Sequence, residues 1–194
     1  MSKLFTKEEI VINIDEIDVV FNLSNEDLKS DVLYPVYILF TNTKTRFSKL
    51  TKLFSGSTLN HVSVGFTEII DKYHTFDATA GGFHTEEYAE LKGALYSQYV
   101  INIPKEAYDA IKNKIQSYKD NNKKTSYNWV GLVNALAGKV IIKDKNPERK
   151  FCSQFVASLF EDIGIKLSKL PSNVVKPSEL INHKLLQFVK KGKV

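Results

Sequence analysis

The sequence predicts a domain of the α+β class, with a group of strands in its first half and a group of helices after it. In the segment NHVSVGF, at 60–66, apolar and polar residues alternate with the two-residue period of a strand. In KEAYDAIKNKIQSYK, at 105–119, apolar residues recur with the period of a helix. Strands followed by helices favour a sheet packed against helices over a series of alternating strands and helices.

Four segments of the first half have the composition of strands, because they alternate or are rich in aromatic and β-branched residues. They are DVLYPVYILFTN at 31–42, NHVSVGF at 60–66, KYHTFDAT at 72–79 and QYVINIP at 98–104. In NHVSVGF the alternation places His61 at the beginning of its strand, on the face opposite to Val62 and Val64. This histidine strand precedes most of the predicted helices in the chain.

Five segments are predicted to be helical, from the spacing of their apolar residues or from a helix-start signal such as Pro177 followed by Glu179. They are RFSKLTKLFSG at 46–56, KEAYDAIKNKIQSYK at 105–119, SYNWVGLVNALAGK at 126–139, CSQFVASLFEDIGI at 152–165 and KPSELI at 176–181. In the fourth segment, Phe155, Val156, Leu159 and Phe160 form the apolar face, and Gly164 is suited to end the helix. The single cysteine of the chain, Cys152, therefore lies at the start of a predicted amphipathic helix.

The composition is that of a globular protein, since 43% of the 194 residues are apolar and 25% are charged. No apolar run approaches the roughly 20 residues that span a bilayer, and the N-terminal segment has acidic residues where a signal peptide keeps its apolar core. One cysteine excludes an intrachain disulfide and a cysteine-based zinc site. We expect a cytoplasmic protein, or one that is phage-associated or delivered to the envelope by another route, without a metal or cofactor.

The net charge of +5 is unevenly spread. Residues 7–31 carry eight acidic residues and two lysines, and we assign residues 1–30 to an N-terminal extension and residues 31–194 to the main domain. The cations of the basic segment at 43–52 are Lys44, Arg46, Lys49 and Lys52. They could contact an anionic surface, although a solvated helix face is the simpler interpretation. No motif that reads nucleic acid is present, so we expect no nucleic-acid partner.

A cysteine acts as a nucleophile only as a thiolate, and the reference pKa of about 8.5 leaves little thiolate at neutral pH. A helix N-terminus and a neighbouring imidazole both favour the thiolate. The helix start is present at Cys152, and His61, at the mouth of a strand, suits a base that a substrate can reach. Taken singly, a buried cysteine and a hydrogen-bonded surface histidine are the simpler interpretations.

The order of three motifs carries a resemblance to a known family. NHVSVGF, then FCSQFVASLFEDIGI, then KPSEL resembles the circularly permuted branch of the NlpC/P60 superfamily, which includes YiiX/LRAT-like proteins. The resemblance runs from about Tyr34 to Leu180 and implies a papain-like cysteine hydrolase fold in permuted order. In that fold an antiparallel sheet with the histidine strand first packs against helices, including the C-terminal cysteine helix. Gln154 departs from the family, in which many members have glutamate at this position.

The resemblance implies a role for several residues. Cys152 matches the nucleophile and His61 the base, and the family's third member, which orients the imidazole, lies on the next strand. Asp77 is our first choice for that member and His74 is the alternative, because both belong to KYHTFDAT and only one can point at His61. The residues expected to line the substrate site are Tyr127, Ser153 and Gln154. Tyr127 has the alternative of a core residue packed beside Trp129.

Two functions follow as hypotheses. The first is a cysteine hydrolase or acyltransferase that acts on an amide or ester bond through an acyl-enzyme, with a peptidoglycan peptide, another peptide or a lipid acyl group as substrate. The second is a non-catalytic binding module, or a phage structural component, on the same fold. That module would use the basic surface at 44–52, and Cys152 would be unreactive.

Overall fold

A computed structural model of the chain describes residues 8–14, 17–23, 32–42, 59–143 and 146–194. The helix predicted at 46–56 lies outside the described residues. The proposed cationic surface at 44–52 lies outside them as well.

A six-stranded antiparallel sheet forms the centre of the described structure. The strands are β1 (Glu8–Ile14), β2 (Ile17–Leu23), β3 (Leu33–Thr41), β4 (His61–Gly65), β5 (Lys72–Asp77), β6 (Gly82–Glu87), β7 (Leu95–Pro104), β8 (Ser126–Tyr127), β9 (Arg149–Lys150) and β10 (Gln187–Lys193). The order in the central sheet is β10-β7-β3-β4-β5-β6, and each neighbouring pair is antiparallel. The predicted strands correspond to β3, β4, β5 and β7.

Five α-helices lie in the described part of the chain, and most come after the strands. They are α1 (Tyr88–Leu91), α2 (Lys105–Asp120), α3 (Trp129–Ala137), α4 (Cys152–Glu161) and α5 (Pro177–Leu180), with short 3₁₀ helices at Asn122–Lys124 and Ser172–Val174. The last four α-helices fall on predicted helical segments. The predicted α+β class with an antiparallel sheet is therefore confirmed.

The main core forms where α4 packs against the sheet. Phe155, Val156 and Phe160 of α4 are completely buried, and they share one apolar cluster with Val62 and Val64 of β4. Burying one such side chain stabilises the fold by about 1.5–3 kcal/mol. The predicted apolar face of the cysteine helix is thus the face that holds it against the histidine strand.

The N-terminal residues form a hairpin in which β1 and β2 pair with each other as a separate two-stranded sheet. The central sheet begins with β3 at Leu33. The division of the chain into an extension of residues 1–30 and a main domain of residues 31–194 stays a prediction.

Two strands of the central sheet were not predicted from the sequence. β6 follows the turn at the glycine pair 81–82 and has the polar sequence GFHTEE. β10 is a basic edge strand, QFVKKGK, that pairs with β7. β6 is important for the site because it carries Glu86.

Candidate active site

Cys152 is the first residue of α4. Phe151 before it has an extended backbone, and the carbonyl oxygen of Phe151 accepts the first hydrogen bond of the helix, from the backbone N–H of Phe155 at 2.9 Å. Phe151 has no side chain that caps the helix. The unpaired N–H groups of a helix start favour a negative charge, so this position suits a thiolate.

His61 is the first residue of β4, where it pairs with Thr41 of β3. Nε2 of His61 donates to Oε1 of Glu86, with 2.7 Å between the two atoms. The imidazole also lies near the Cys152 side chain, and this interaction raises the pKa of the histidine. Because Nε2 is occupied by Glu86, Nδ1 is the ring nitrogen left for the thiol. The three side chains therefore form a chain of contacts in the order Cys152, His61, Glu86.

All three residues are buried, with between 5% and 7% of their surface exposed. Burial by itself lowers the pKa of His61, but the interactions with the Glu86 carboxylate and with Cys152 outweigh it, so the pKa is raised well above 6.5. The shift favours the protonated imidazole. An imidazolium beside a thiol favours the thiolate.

Asp77 and His74, predicted as the third member, do not bind His61 in the structure. Oδ1 of Asp77 accepts hydrogen bonds from the backbone N–H groups of Thr79 and Ala80, at 2.7 and 2.9 Å, and so caps the turn after β5. The acceptor of Nε2 is Glu86, one strand further along the sheet. The carboxylate that binds His61 is therefore Glu86 and not Asp77, the first choice from the sequence.

His74 has a structural role in the core. Its Nδ1 lies 3.1 Å from Oγ1 of Thr85, and its ring stacks on Phe83 with 6.1 Å between the centroids. Burial, followed by the charge of Lys119, lowers the pKa of His74 to about 4. A neutral, buried imidazole facing aromatic rings is a packing group.

Tyr127 lies close to both Cys152 and Asp77. Burial raises its pKa well above 10, and the negative charges of Cys152 and Asp77 raise it further. Its ring also packs on Trp129, with 4.8 Å between the centroids. The packing on Trp129 fits the interpretation of Tyr127 as a core residue, and its place in a substrate site stays a prediction.

Ser153 and Gln154 differ in their access to a substrate. Ser153 is completely buried and its hydroxyl donates to the carbonyl oxygen of Val175 at 2.7 Å, so in the structure it is a packing residue and its contact with a substrate stays a prediction. Gln154 accepts a hydrogen bond from Nδ2 of Asn128 at 3.0 Å and is half-buried. Asn128 was not singled out from the sequence, although an asparagine before an apolar helical segment is typical of an N-cap.

A polar cavity of about 470 Å³ lies beside the start of α4. Its lining includes Asn128, Gly131, Arg149, Lys150, Gln154 and Asn173. Neither Cys152 nor His61 lines it. Two residues of α4, Gln154 and Glu161, thus line this cavity, and Asn128 binds the first of them.

The other two histidines do not join the site. His84 binds Glu90, with 2.6 Å between Nε2 and Oε2, on the exposed side of β6 and α1. Nδ1 of His183 accepts from the backbone N–H of Leu185 at 3.3 Å in the C-terminal region. Of the four histidines, all of which the structure describes, His61 is the one that interacts with the cysteine, and its role as a base stays a prediction.

The fold resembles that of a solved structure. The crystal structure of the metalloprotein YiiX from Escherichia coli O157:H7 superimposes with a TM-score of 0.56 at 13% sequence identity, and the match covers 83% of this chain and 98% of that chain. No protein-family model matches the sequence. No curated protein matches it either. The chain therefore has a YiiX-like fold.

YiiX is a metalloprotein, and a metal site in this chain would need a comparable cluster of ligands. In the ranges that the structure describes, no group of three or more His, Cys, Asp or Glu side chains could hold a metal ion. The described residues thus do not fit a metal site, and no step below depends on one. None of the described helices is long and apolar enough to cross a membrane.

Proposed function

We propose that the protein is a cysteine-dependent hydrolase or acyltransferase that cleaves an amide or ester bond. The observation that carries this proposal is the contact chain in which a buried imidazole joins the thiol at a helix start to a buried carboxylate. The YiiX-like fold is compatible with it, and so is the resemblance of the motifs to permuted NlpC/P60 proteins. Cys152 is the nucleophile, His61 the acid and base, and Glu86 the residue that positions the imidazole.

In the first half of the reaction the thiolate sulfur of Cys152 attacks the carbonyl carbon of the substrate, and a carbon–sulfur bond forms. The N–H groups at the start of α4 are placed to stabilise the negative charge that develops on the carbonyl oxygen. His61 then gives its proton to the nitrogen or oxygen of the leaving group, and the bond to that atom breaks. The product of this half is a thioester on Cys152 and a neutral imidazole.

In the second half a water molecule, or an acceptor alcohol or amine, attacks the thioester. The neutral His61 removes a proton from the attacking group, the carbon–sulfur bond breaks, and the thiolate–imidazolium pair is restored. Throughout both halves the Glu86 carboxylate keeps Nε2 bonded, which leaves Nδ1 to exchange protons with the reacting groups. Peptides, peptidoglycan peptides and lipid acyl groups are the substrate classes that this chemistry accommodates.

The proposal is tested by trapping the acyl-enzyme with an activated ester such as 4-nitrophenyl acetate. We expect a burst of nitrophenol and a mass increase of one acetyl group on Cys152, followed by slow turnover. Cys152→Ser should show neither the burst nor the adduct. Ser158→Ala is a matched control on the same helix, since the Ser158 hydroxyl donates to the carbonyl of Phe155 in the preceding turn. Absence of an adduct in the folded wild type would favour the non-catalytic binding module.

A further inference from the structure

A cluster of aliphatic side chains is exposed at the end of α3 and in the loop after it. We call it the VII surface; it consists of Val133, Val140, Ile141 and Ile142, each between 45% and 57% exposed. Single exposed apolar residues are common on proteins, whereas a cluster marks a contact surface. Three of these four residues are consecutive in the chain, so the loop presents a continuous apolar tip.

The loop is held in this position by a buried side chain. Asn134 is 2% exposed, and its Oδ1 accepts hydrogen bonds from the backbone N–H groups of Ile141 and Ile142, at 2.9 and 3.0 Å. Its Nδ2 donates to the carbonyl oxygen of Ile142 at 2.7 Å. Gly138, with a φ of 68°, ends the helix and allows the chain to turn. The polar backbone of the loop is thus satisfied internally while its aliphatic side chains face outwards.

Cations flank the apolar tip on both sides. Lys139 precedes Val140 and Lys143 follows Ile142, and both lysines are exposed. The sequence from 129 to 143 contains no acidic residue, and the next two residues in the chain, one aspartate and one lysine, cancel in charge. An apolar tip between two cations has the arrangement of a segment that inserts among lipid acyl chains while its cations meet anionic headgroups.

We infer that the VII surface, together with Lys139 and Lys143, docks the protein on an anionic lipid bilayer. A second copy of the chain is a poorer occupant, because an isologous contact would bring the same lysines together. Four half-exposed aliphatic side chains also present far less than the roughly 800 Å² per partner of a stable protein interface. This inference rests on the loop and its charges, and it does not depend on the proposed reaction.

Trp129 provides an internal reporter for the test. It is the one tryptophan of the chain, it is 43% exposed, and it lies one helical turn before Val133 on α3. Insertion of the VII surface among lipids should shift the emission of Trp129 to the blue. Bromine-labelled lipids should quench it.

The experiment measures binding of the full chain to vesicles of phosphatidylcholine alone, and of phosphatidylcholine with phosphatidylglycerol, by co-sedimentation and Trp129 emission. We expect about tenfold tighter binding to the anionic vesicles, with the preference lost in high salt. Ile141→Ser with Ile142→Ser should weaken binding to anionic vesicles at least about tenfold. Lys139→Gln with Lys143→Gln should remove most of the anionic preference. Cys152→Ser should bind as the wild type does, which separates docking from catalysis.

Ile69→Ser is the matched control, because Ile69 is exposed in the turn between β4 and β5 and is not part of the VII surface. The control should bind as the wild type does. No binding to anionic vesicles at low salt would overturn the inference. Binding that survives both double substitutions would also overturn it, and would point to the basic segment at 43–52. A change of oligomeric state in the isoleucine variant, seen by light scattering, would identify a second copy as the occupant.

Discussion

At the scale of single residues, the protonation of His61 follows from what surrounds it. Burial opposes the charged imidazole, and the Glu86 carboxylate at 2.7 Å together with Cys152 favours it more strongly, so its pKa is raised. The second oxygen of Glu86, Oε2, is buried and has no hydrogen-bond partner in the described part of the chain. Within the described part of the chain, the side-chain hydrogen bond of this carboxylate is therefore the one to His61.

Glu86→Gln should reduce turnover and the reactivity of the Cys152 thiol by roughly ten- to a thousandfold, because the imidazolium loses the anion that stabilises and orients it. Asp77→Asn, which alters the carboxylate predicted from the sequence, should have a much smaller effect, since Asp77 caps a turn. The check is the rate of acetylation by 4-nitrophenyl acetate in both variants. A larger loss in Asp77→Asn than in Glu86→Gln would reverse our assignment.

His74 should make the fold sensitive to acid. Its pKa is about 4 in the folded protein and about 6.5 when unfolded, so the unfolded chain binds more protons between these values. Its contribution to stability is complete above pH 6.5 and declines as the pH falls towards 4, by on the order of 2–3 kcal/mol.

Denaturant unfolding of the wild type and His74→Gln at several pH values checks this. Stability should fall more steeply below about pH 6 in the wild type than in the variant. Equal slopes for the two proteins would show that another group causes the acid sensitivity.

At the scale of elements, the sequence indicated the helix that begins at Cys152 and the strand that begins at His61, but not the strand that carries Glu86. Apolar residues recur with helical spacing after Cys152, and apolar and polar residues alternate after His61. Both patterns can be recognised within a short stretch of sequence. GFHTEE, by contrast, is polar and follows two glycines, so it does not have the composition of a strand. It becomes one because it pairs with β5 along its whole length, from Gly82 to Glu87.

The contact between Glu86 and His61 crosses from β6 to β4, with β5 between them in the sheet. Sequence spacing does not reveal such a contact, because it depends on the twist and register of three strands. Asp77 was a reasonable choice from the sequence since it follows His61 on the adjacent strand. The burial of Ser153 could not be predicted either, because its partner, the carbonyl of Val175, belongs to a distant segment.

Asn128 connects two helices of the site. Its Oδ1 accepts from the backbone N–H of Gly131 at 2.6 Å, which caps α3, and its Nδ2 donates to Gln154 on α4 at 3.0 Å. Asn128→Ala should lower the free energy of unfolding by about 1–2 kcal/mol, through loss of the cap and of a buried hydrogen bond.

Asn113→Ala, at an exposed position of α2, is the matched control and should change stability by less than about 0.5 kcal/mol. Denaturant unfolding of both variants measures the difference. If Asn128→Ala were as stable as the control, the cap would not contribute to the stability of the fold.

At the scale of the whole molecule, the buried pair of His61 and Glu86 links the pH dependence of folding to that of the site. Because the folded pKa of His61 is raised, the stability that the pair contributes is fully present below about pH 6.5. That contribution is lost as the pH rises through the folded pKa. The same titration removes the imidazolium that favours the thiolate.

The difference in unfolding free energy between the wild type and Glu86→Gln should therefore be larger at about pH 6 than at about pH 10. In the variant the charged imidazole has lost its carboxylate partner, so protonation of His61 stabilises the folded state less than it does in the wild type. Chemical denaturation at both pH values measures this difference. A difference that is constant, or that grows with pH, would show that the pair is not charged in the folded protein.

The most direct test of the central claim, a thiolate–imidazolium pair at Cys152 and His61, is the pH dependence of Cys152 alkylation by iodoacetamide in the folded protein. We expect the wild type to react at a substantial rate well below pH 8, and His61→Ala to lose this low-pH reactivity. Glu86→Gln should lie between the two. If all three proteins follow the profile of an ordinary thiol, or if Cys152 reacts only after unfolding, the pair does not exist and the catalytic proposal fails.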